Sequence, residues 1–225
     1  MFLKLFDTGG YCIINVPNGL FVMKEAAITP RGSKTRAHVL KTAMELFNVR
    51  GYHATSMADI IAACGVQKGN LYFHFRSKED LALALVEHAR TEYLAYLRAH
   101  ASGKTSLERI HGVLDAVFAF HDRKKFVGGC IFGNMALEMG DVNPQFRTLV
   151  REIFQEWIDL LRRILEEARA GGELARETDA SRLARHIVAC LEGGVMISRL
   201  TKDGSDMLGC VESLKAMLTR LSEDG

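Results

Sequence analysis

The stretch Thr55–Lys78, TSMADIIAACGVQKGNLYFHFRSK, decides the fold, because it reads as two short helices joined by a glycine turn. Met57, Ile60 and Ile61 recur at helical spacing among Ala58, Ala62 and Ala63, which gives the first helix one apolar face with side chains small enough for close packing. Thr55 and Ser56 supply hydroxyls to cap its start. Gly65 stands where the helix must stop, since glycine takes the left-handed conformation there without a side-chain penalty. Val66 then plugs the turn into the core. Gln67, Lys68, Gly69 and Asn70 open a second helix with polar or minimal side chains, while Leu71 and Phe75, four apart, point inward. The leading edge of that helix is left free to meet a groove. Ser77 with Asp80 has the form of a capping box for a third, longer helix, and puts Lys78 in a first turn whose backbone N–H groups favour an anion.

The block from Arg36 through Leu81 places a helix before GYHATSMADIIAACGVQKGNLYFHF and then SKEDL. In this order, and in the aromatic-His-aromatic end of its second short helix, it resembles the N-terminal DNA-binding domain of the TetR family of transcriptional regulators. That resemblance implies an all-α protein. Its three N-terminal helices would bind double-stranded operator DNA, and a C-terminal domain would enclose a cavity for a small-molecule inducer. The last two helices would pair with those of a second subunit in a four-helix bundle. It assigns Thr55, Tyr72 and Lys78 to the DNA backbone and Lys68, Asn70 and His74 to positions nearer base edges, with Gly69 permitting close approach and Ser56 and Gln67 beside them.

Charge follows the same division. The whole chain of 225 residues carries a net charge of only +2. Between Arg31 and Lys78, however, Arg31, Lys34, Arg36, Lys41, Arg50, Lys68, Arg76 and Lys78 face only Glu45 and Asp59. A phosphate-binding surface needs such a local excess. Five cysteines, Cys12, Cys64, Cys130, Cys190 and Cys210, are odd in number and show no C-x-x-C spacing, so they read as thiols of a cytoplasmic protein with no metal or other cofactor. No run approaches the length of a membrane span. The apolar N-terminal segment is broken by Gly9, Gly10, Pro17 and Gly19; a small hairpin is expected around Pro17-Asn18-Gly19. Met23 is the expected start of translation, with residues 1–22 an upstream extension without function.

The expected organisation is an extension over 1–30, the helix-turn-helix domain over 31–80, and a ligand-binding and dimerisation domain over 81–225. Helical periodicity and caps predict helices from Lys78 to about His100, Ser106 to Arg123, Cys130 to Glu138, Pro144 to about Ala170, Asp179 to Leu200 and Ser205 to Ser222, for about nine helices in all. Gly193-Gly194 lies inside the apolar run VACLEGGVMISRL, where glycine costs up to about 1 kcal/mol each relative to alanine. A close helix crossing, within one subunit or between two, would offset that cost.

Phe118, His121, Phe126, Cys130, Asn134, Phe154 and Trp157 are the candidate walls of the inducer cavity, an aromatic set with a few polar groups. Cys130 opens a helix close to Lys124, Lys125 and His121, a setting in which the helix dipole and positive charge would stabilise a thiolate. It therefore carries an alternative reading, a regulator that senses oxidants or electrophiles. An enzyme is disfavoured, since H-E-x-x-H, G-x-S-x-G and a phosphate-cradling glycine loop are all missing. A protein that keeps the helix-turn-helix only as a scaffold would not need Lys68, Tyr72 and Lys78.

Overall fold

The computed structural model describes residues 5–6, 11–16, 19–24 and 30–223, with side chains from residue 32. It divides into two compact units, residues 1–38 and 39–225. In the first, strands β1 (Leu5–Phe6), β2 (Tyr11–Val16) and β3 (Gly19–Lys24) form a small antiparallel sheet, and the register sets Val16 opposite Gly19. This is the expected hairpin, although Pro17 and Asn18 themselves and the side chains of the segment, Cys12 and Met23 included, lie outside the described residues. The expected all-α class thus applies from residue 30 onward, where the described residues form nine helices.

Helix α1 (Pro30–Arg50) leads into α2 (Met57–Cys64) and α3 (Lys68–His74), the two short helices of the turn motif. Val39, Leu40, Ala43 and Phe47 of α1 are buried in one core with Ile60, Leu71 and Phe75. Helix α4 (Lys78–His100) turns Leu81, Leu85, Ala89 and Leu97 inward as its periodicity predicts, and runs on into the second half of the chain. There α5 (Ser106–Asp122), α6 (Ile131–Met139) and α7 (Pro144–Ala170) pack together. Helix α7 is central: Phe146, Val150, Ile153, Trp157, Leu161, Ile164 and Leu165 are buried along one face against α4, α5, α6 and α8. The caps that stop and start these helices are local sequence features. Thr105 and Glu108 form a full capping box on α5, and Asn143 caps α7 ahead of Pro144 at its first turn.

The two last helices, α8 (Ala180–Thr201) and α9 (Ser205–Glu223), pack against each other. The glycine pair divides its roles. A Cβ on Gly194 would lie 3.2 Å from both the Cys210 sulfur and the Met207 Cα, so this glycine permits the α8–α9 crossing within the subunit. A Cβ on Gly193 would meet nothing within 4 Å. No helix among the described residues is long and apolar enough to cross a membrane.

Candidate nucleic-acid interface and effector cavity

Ser56 caps α2 by accepting from the Asp59 N–H, while the Asp59 carboxylate accepts from the Ser56 N–H at 2.8 Å. The Ser56 hydroxyl also donates to that carboxylate, and this bond, then the one from the Ser56 N–H, lowers the Asp59 pKa. Gly65 takes φ +65 at the end of α2, as the turn requires. Along α3, Leu71 and the following Phe75 are buried, whereas Gln67, Lys68, Gly69, Asn70 and Tyr72 are exposed and His74 is half-buried. A Cβ on Gly69 would meet nothing within 4 Å, so internal packing does not require a glycine there. Phe73, at 71% exposure, is an aromatic of the same helix that the apolar pattern of the sequence assigns to no surface role.

Two of the expected DNA contacts are engaged within the protein. Thr55 is fully buried, and its hydroxyl donates to the Gly51 carbonyl at 2.8 Å, so it braces the turn before α2 from within. The Lys78 ammonium folds back over the same turn, donating to the Tyr52 and Thr55 carbonyls at 3.0 Å each and sitting 4.3 Å from the centroid of the Tyr52 ring. Ser77 caps α4 through the Asp80 N–H, but the Asp80 carboxylate accepts from Arg76 N–H at 2.9 Å, so the expected reciprocal box is only half formed.

Helix α6 holds the other side of that turn. The Glu138 carboxylate accepts from the N–H groups of Tyr52 and His53 at 3.1 Å each. One turn back on α6, Asn134 donates to the Asn48 side chain and to the Gly128 carbonyl, both at 2.8 Å. It also accepts from Arg199 of α8 at 2.6 Å.

Two adjoining cavities flank α6 and share Gly129 and Cys130 in their walls. The first, of about 280 Å³, is lined by Tyr93, Tyr96, Phe120, His121, Lys124 and Phe132 among others. The second, of about 360 Å³, includes Asn134, Phe154, Glu192, Met196 and Arg199. Of the seven expected wall residues, His121, Cys130, Asn134 and Phe154 are therefore brought together. The other three line neither of these two cavities. Phe126 is buried with its ring 6.0 Å from that of Phe118, and Trp157 is buried with its ring edge-on to Tyr93 and stacked on Phe154. Aromatic residues at helical spacing serve core and cavity alike, so the pattern alone does not separate Trp157 from Tyr93, Tyr96 and Phe120, which it left out. Glu192 and Arg199, the charged residues of the run VACLEGGVMISRL, were the available signal for the second cavity.

The cavity's electrostatics are set by burial. Desolvation, then the Lys124 charge, pull the His121 pKa down to about 4, so this imidazole is neutral. Burial raises the Glu192 carboxyl to about 7. The Cys130 thiol does cap α6, accepting from Gly133 N–H at 3.5 Å, yet burial and the adjacent Glu192 push its pKa well above the usual thiol range. This is opposite to the thiolate expected at a helix start, and nothing in the site favours the electrophile-sensing alternative.

Residues 39–85 match the family "Bacterial regulatory proteins, tetR family", and residues 106–212 match "Tetracyclin repressor-like, C-terminal domain". The fold is similar to the crystal structure of a TetR transcriptional regulator from Chloroflexus aurantiacus, with 37% sequence identity, a TM-score of 0.79, and coverage of 84% of this chain and 96% of that one. Among curated proteins, the HTH-type transcriptional regulator YxaF of Bacillus subtilis is 28% identical over 197 residues, 86% of this chain and 99% of that one. The transcriptional regulator AcuR of Cereibacter sphaeroides is 28% identical over 76% of this chain and 79% of its own length. With an exposed α3, a loop before α2 that α4 and α6 hold, and matches spanning both halves, the chain belongs to the TetR family of transcriptional regulators.

Proposed function

We propose that the protein is a cytoplasmic homodimeric repressor that leaves its operator when a small molecule occupies the cavities beside α6. Residues 31–80 read the DNA, and residues 81–225 hold the ligand and the second subunit. Lys68, Gly69, Asn70 and Tyr72 enter the major groove on α3, with Ser56, Gln67 and His74 at the edges of the contact and the N-terminal turn of α4 turned to a phosphate. The dimer forms through α8 and α9, where Met196, Ile197 and Leu200 leave an apolar stripe exposed and Gly193 lets a second helix come close.

The observation that carries this reading is the position of α6. Its N-terminal half borders the cavities through Cys130 and Asn134, and its C-terminal half holds the Tyr52-His53 backbone through Glu138. A ligand that favours one setting of α6 shifts the population of DNA-binding heads by its difference in affinity for the two settings. Coupling of about 1–3 kcal/mol would change operator affinity by roughly 5- to 150-fold.

Selection from random double-stranded DNA tests the reading. A dimer should enrich a near-palindrome whose half-sites are centred about one helical turn, or a multiple of it, apart. Enrichment of no sequence would count against operator recognition.

A further inference from the structure

Glu192 is a carboxyl of this interior that forms no ion pair among the described residues. It stands on α8 in the wall of the second cavity, beside Cys130, which lines both cavities. Its neighbours are the Cys130 thiol and, across the boundary, the Tyr93 phenol on α4. All three are acids, and burial raises the pKa of each. Among the described residues, no Lys or Arg forms an ion pair with Glu192.

The nearby cations are already engaged. Arg199, further along α8, donates to the Asn134 side chain at 2.6 Å and to the Asn48 carbonyl at 3.5 Å. Lys124 lies 5.1 Å from the centroid of the Phe120 ring at the wall of the first cavity. His121 is neutral. What the interior lacks is a positive charge at Glu192, and a carboxylate enclosed in protein is retained at less cost when such a charge arrives with a hydrogen bond.

The space beyond the carboxyl says what that charge should be attached to. Tyr93, Tyr96, Phe120 and Phe132 line the first cavity, surfaces that favour an apolar or aromatic body and attract a cation at their faces. Its volume of about 280 Å³ suits a small molecule of aryl-alkyl size.

We infer that the ligand is an organic amine with an apolar body, its ammonium paired with the Glu192 carboxylate and its body lying among Tyr93, Phe120 and Phe132. This rests on the reading that the cavities beside α6 are the effector site. Glu192, with a pKa near 7, is partly protonated at neutral pH, and an incoming ammonium completes its ionisation.

Three probes with one body and different heads test this: 4-phenylbutylamine, 4-phenylbutanol and 4-phenylbutyrate, titrated calorimetrically into the full-length protein at neutral pH. The amine should bind roughly tenfold or more tightly than the alcohol, and the butyrate weakest, as expected for a charge-assisted pair. In Glu192→Gln, checked for unchanged helicity and oligomeric state, the amine should lose its advantage while the alcohol binds as before. Equal binding of amine and alcohol to the wild type, a preference for butyrate, no binding by any of the three, or an amine preference that survives in Glu192→Gln would each overturn the inference. Operator release, followed in parallel, separates the two claims. Glu192-dependent amine binding that leaves the operator bound supports the ligand class and overturns the effector reading.

Discussion

The Lys78 ammonium lies 4.3 Å from the centroid of the Tyr52 ring and donates to the Tyr52 carbonyl at 3.0 Å, tying the first turn of α4 to the loop that precedes α2. A second bond, to the Thr55 carbonyl, makes the lysine a clamp on the reading head. Its removal should be felt in stability. Lys78→Ala is expected to lower the unfolding free energy by about 1–3 kcal/mol, because two carbonyls lose a charged donor. Its effect on the salt dependence of DNA binding should stay below the log-log slope change of about 0.9 that a full phosphate contact carries. Denaturant unfolding and salt titrations read both. Unchanged stability with a full slope change would make Lys78 a phosphate anchor instead.

Gly69 should matter for DNA and not for the fold. Since a Cβ there meets nothing within 4 Å, Gly69→Ala is expected to keep or raise the melting temperature, alanine being favoured in a helix by up to about 1 kcal/mol. Operator affinity should fall, because the added methyl group stands between the α3 backbone and the groove. Unaltered affinity in an anisotropy titration would move the contact away from this position.

The exposed stripe on α8 makes a separate prediction. Met196 and Leu200 are 57% and 78% exposed, so charges placed there should spare the fold of one subunit and disrupt pairing. Met196→Glu with Leu200→Glu should sediment as a helical monomer and lose high-affinity operator binding, since one half-site supplies too few contacts. A stable dimer of this variant would place the interface elsewhere.

Stability should also depend on pH through Glu192. Burial raises its folded-state pKa from 4.5 to about 7, so its contribution is complete below 4.5 and is lost as the pH rises through about 7. His121 acts in the opposite sense. Burial and Lys124 lower its pKa from 6.5 to about 4, so its contribution is present above 6.5 and is lost as the pH falls toward 4. Melting curves of wild type and Glu192→Gln isolate the first effect: between pH values of about 5 and 8 the variant should gain on wild type by up to roughly 3 kcal/mol. Parallel curves would show that Glu192 is solvated in the folded protein.

The local features of this molecule were legible in its sequence, and the long-range ones were not. Ser56, Gly65, Thr105 and Asn143 set helix ends through atoms a few residues away, so spacing alone placed them. The division between buried Leu71 and exposed Lys68 and Asn70 follows from helical periodicity in the same way. Thr55 shows the limit: a hydroxyl beside a helix start reads equally as surface or core, and the Gly51 carbonyl decided it. Cys130 shows it more sharply. Its helix-start position argues for a lowered pKa, whereas burial and Glu192, brought in from α8 by the fold, raise it. The Asn48–Asn134–Arg199 network likewise joins α1, α6 and α8, and no pattern in any one helix reports it.

The coupling assigned to α6 is tested by one measurement: operator affinity with and without a saturating cavity ligand, taken from a thermal-shift screen of the wild type, compared between wild type and Glu138→Gln. The amide keeps the size of the side chain but cannot accept from both the Tyr52 and His53 N–H groups as the carboxylate does. In the wild type the ligand should weaken operator binding by roughly 5- to 150-fold. In Glu138→Gln the ligand should bind the cavity as before while its effect on operator affinity falls toward none. The same fold-change in both proteins would show that the cavity reaches the reading head by a route other than α6.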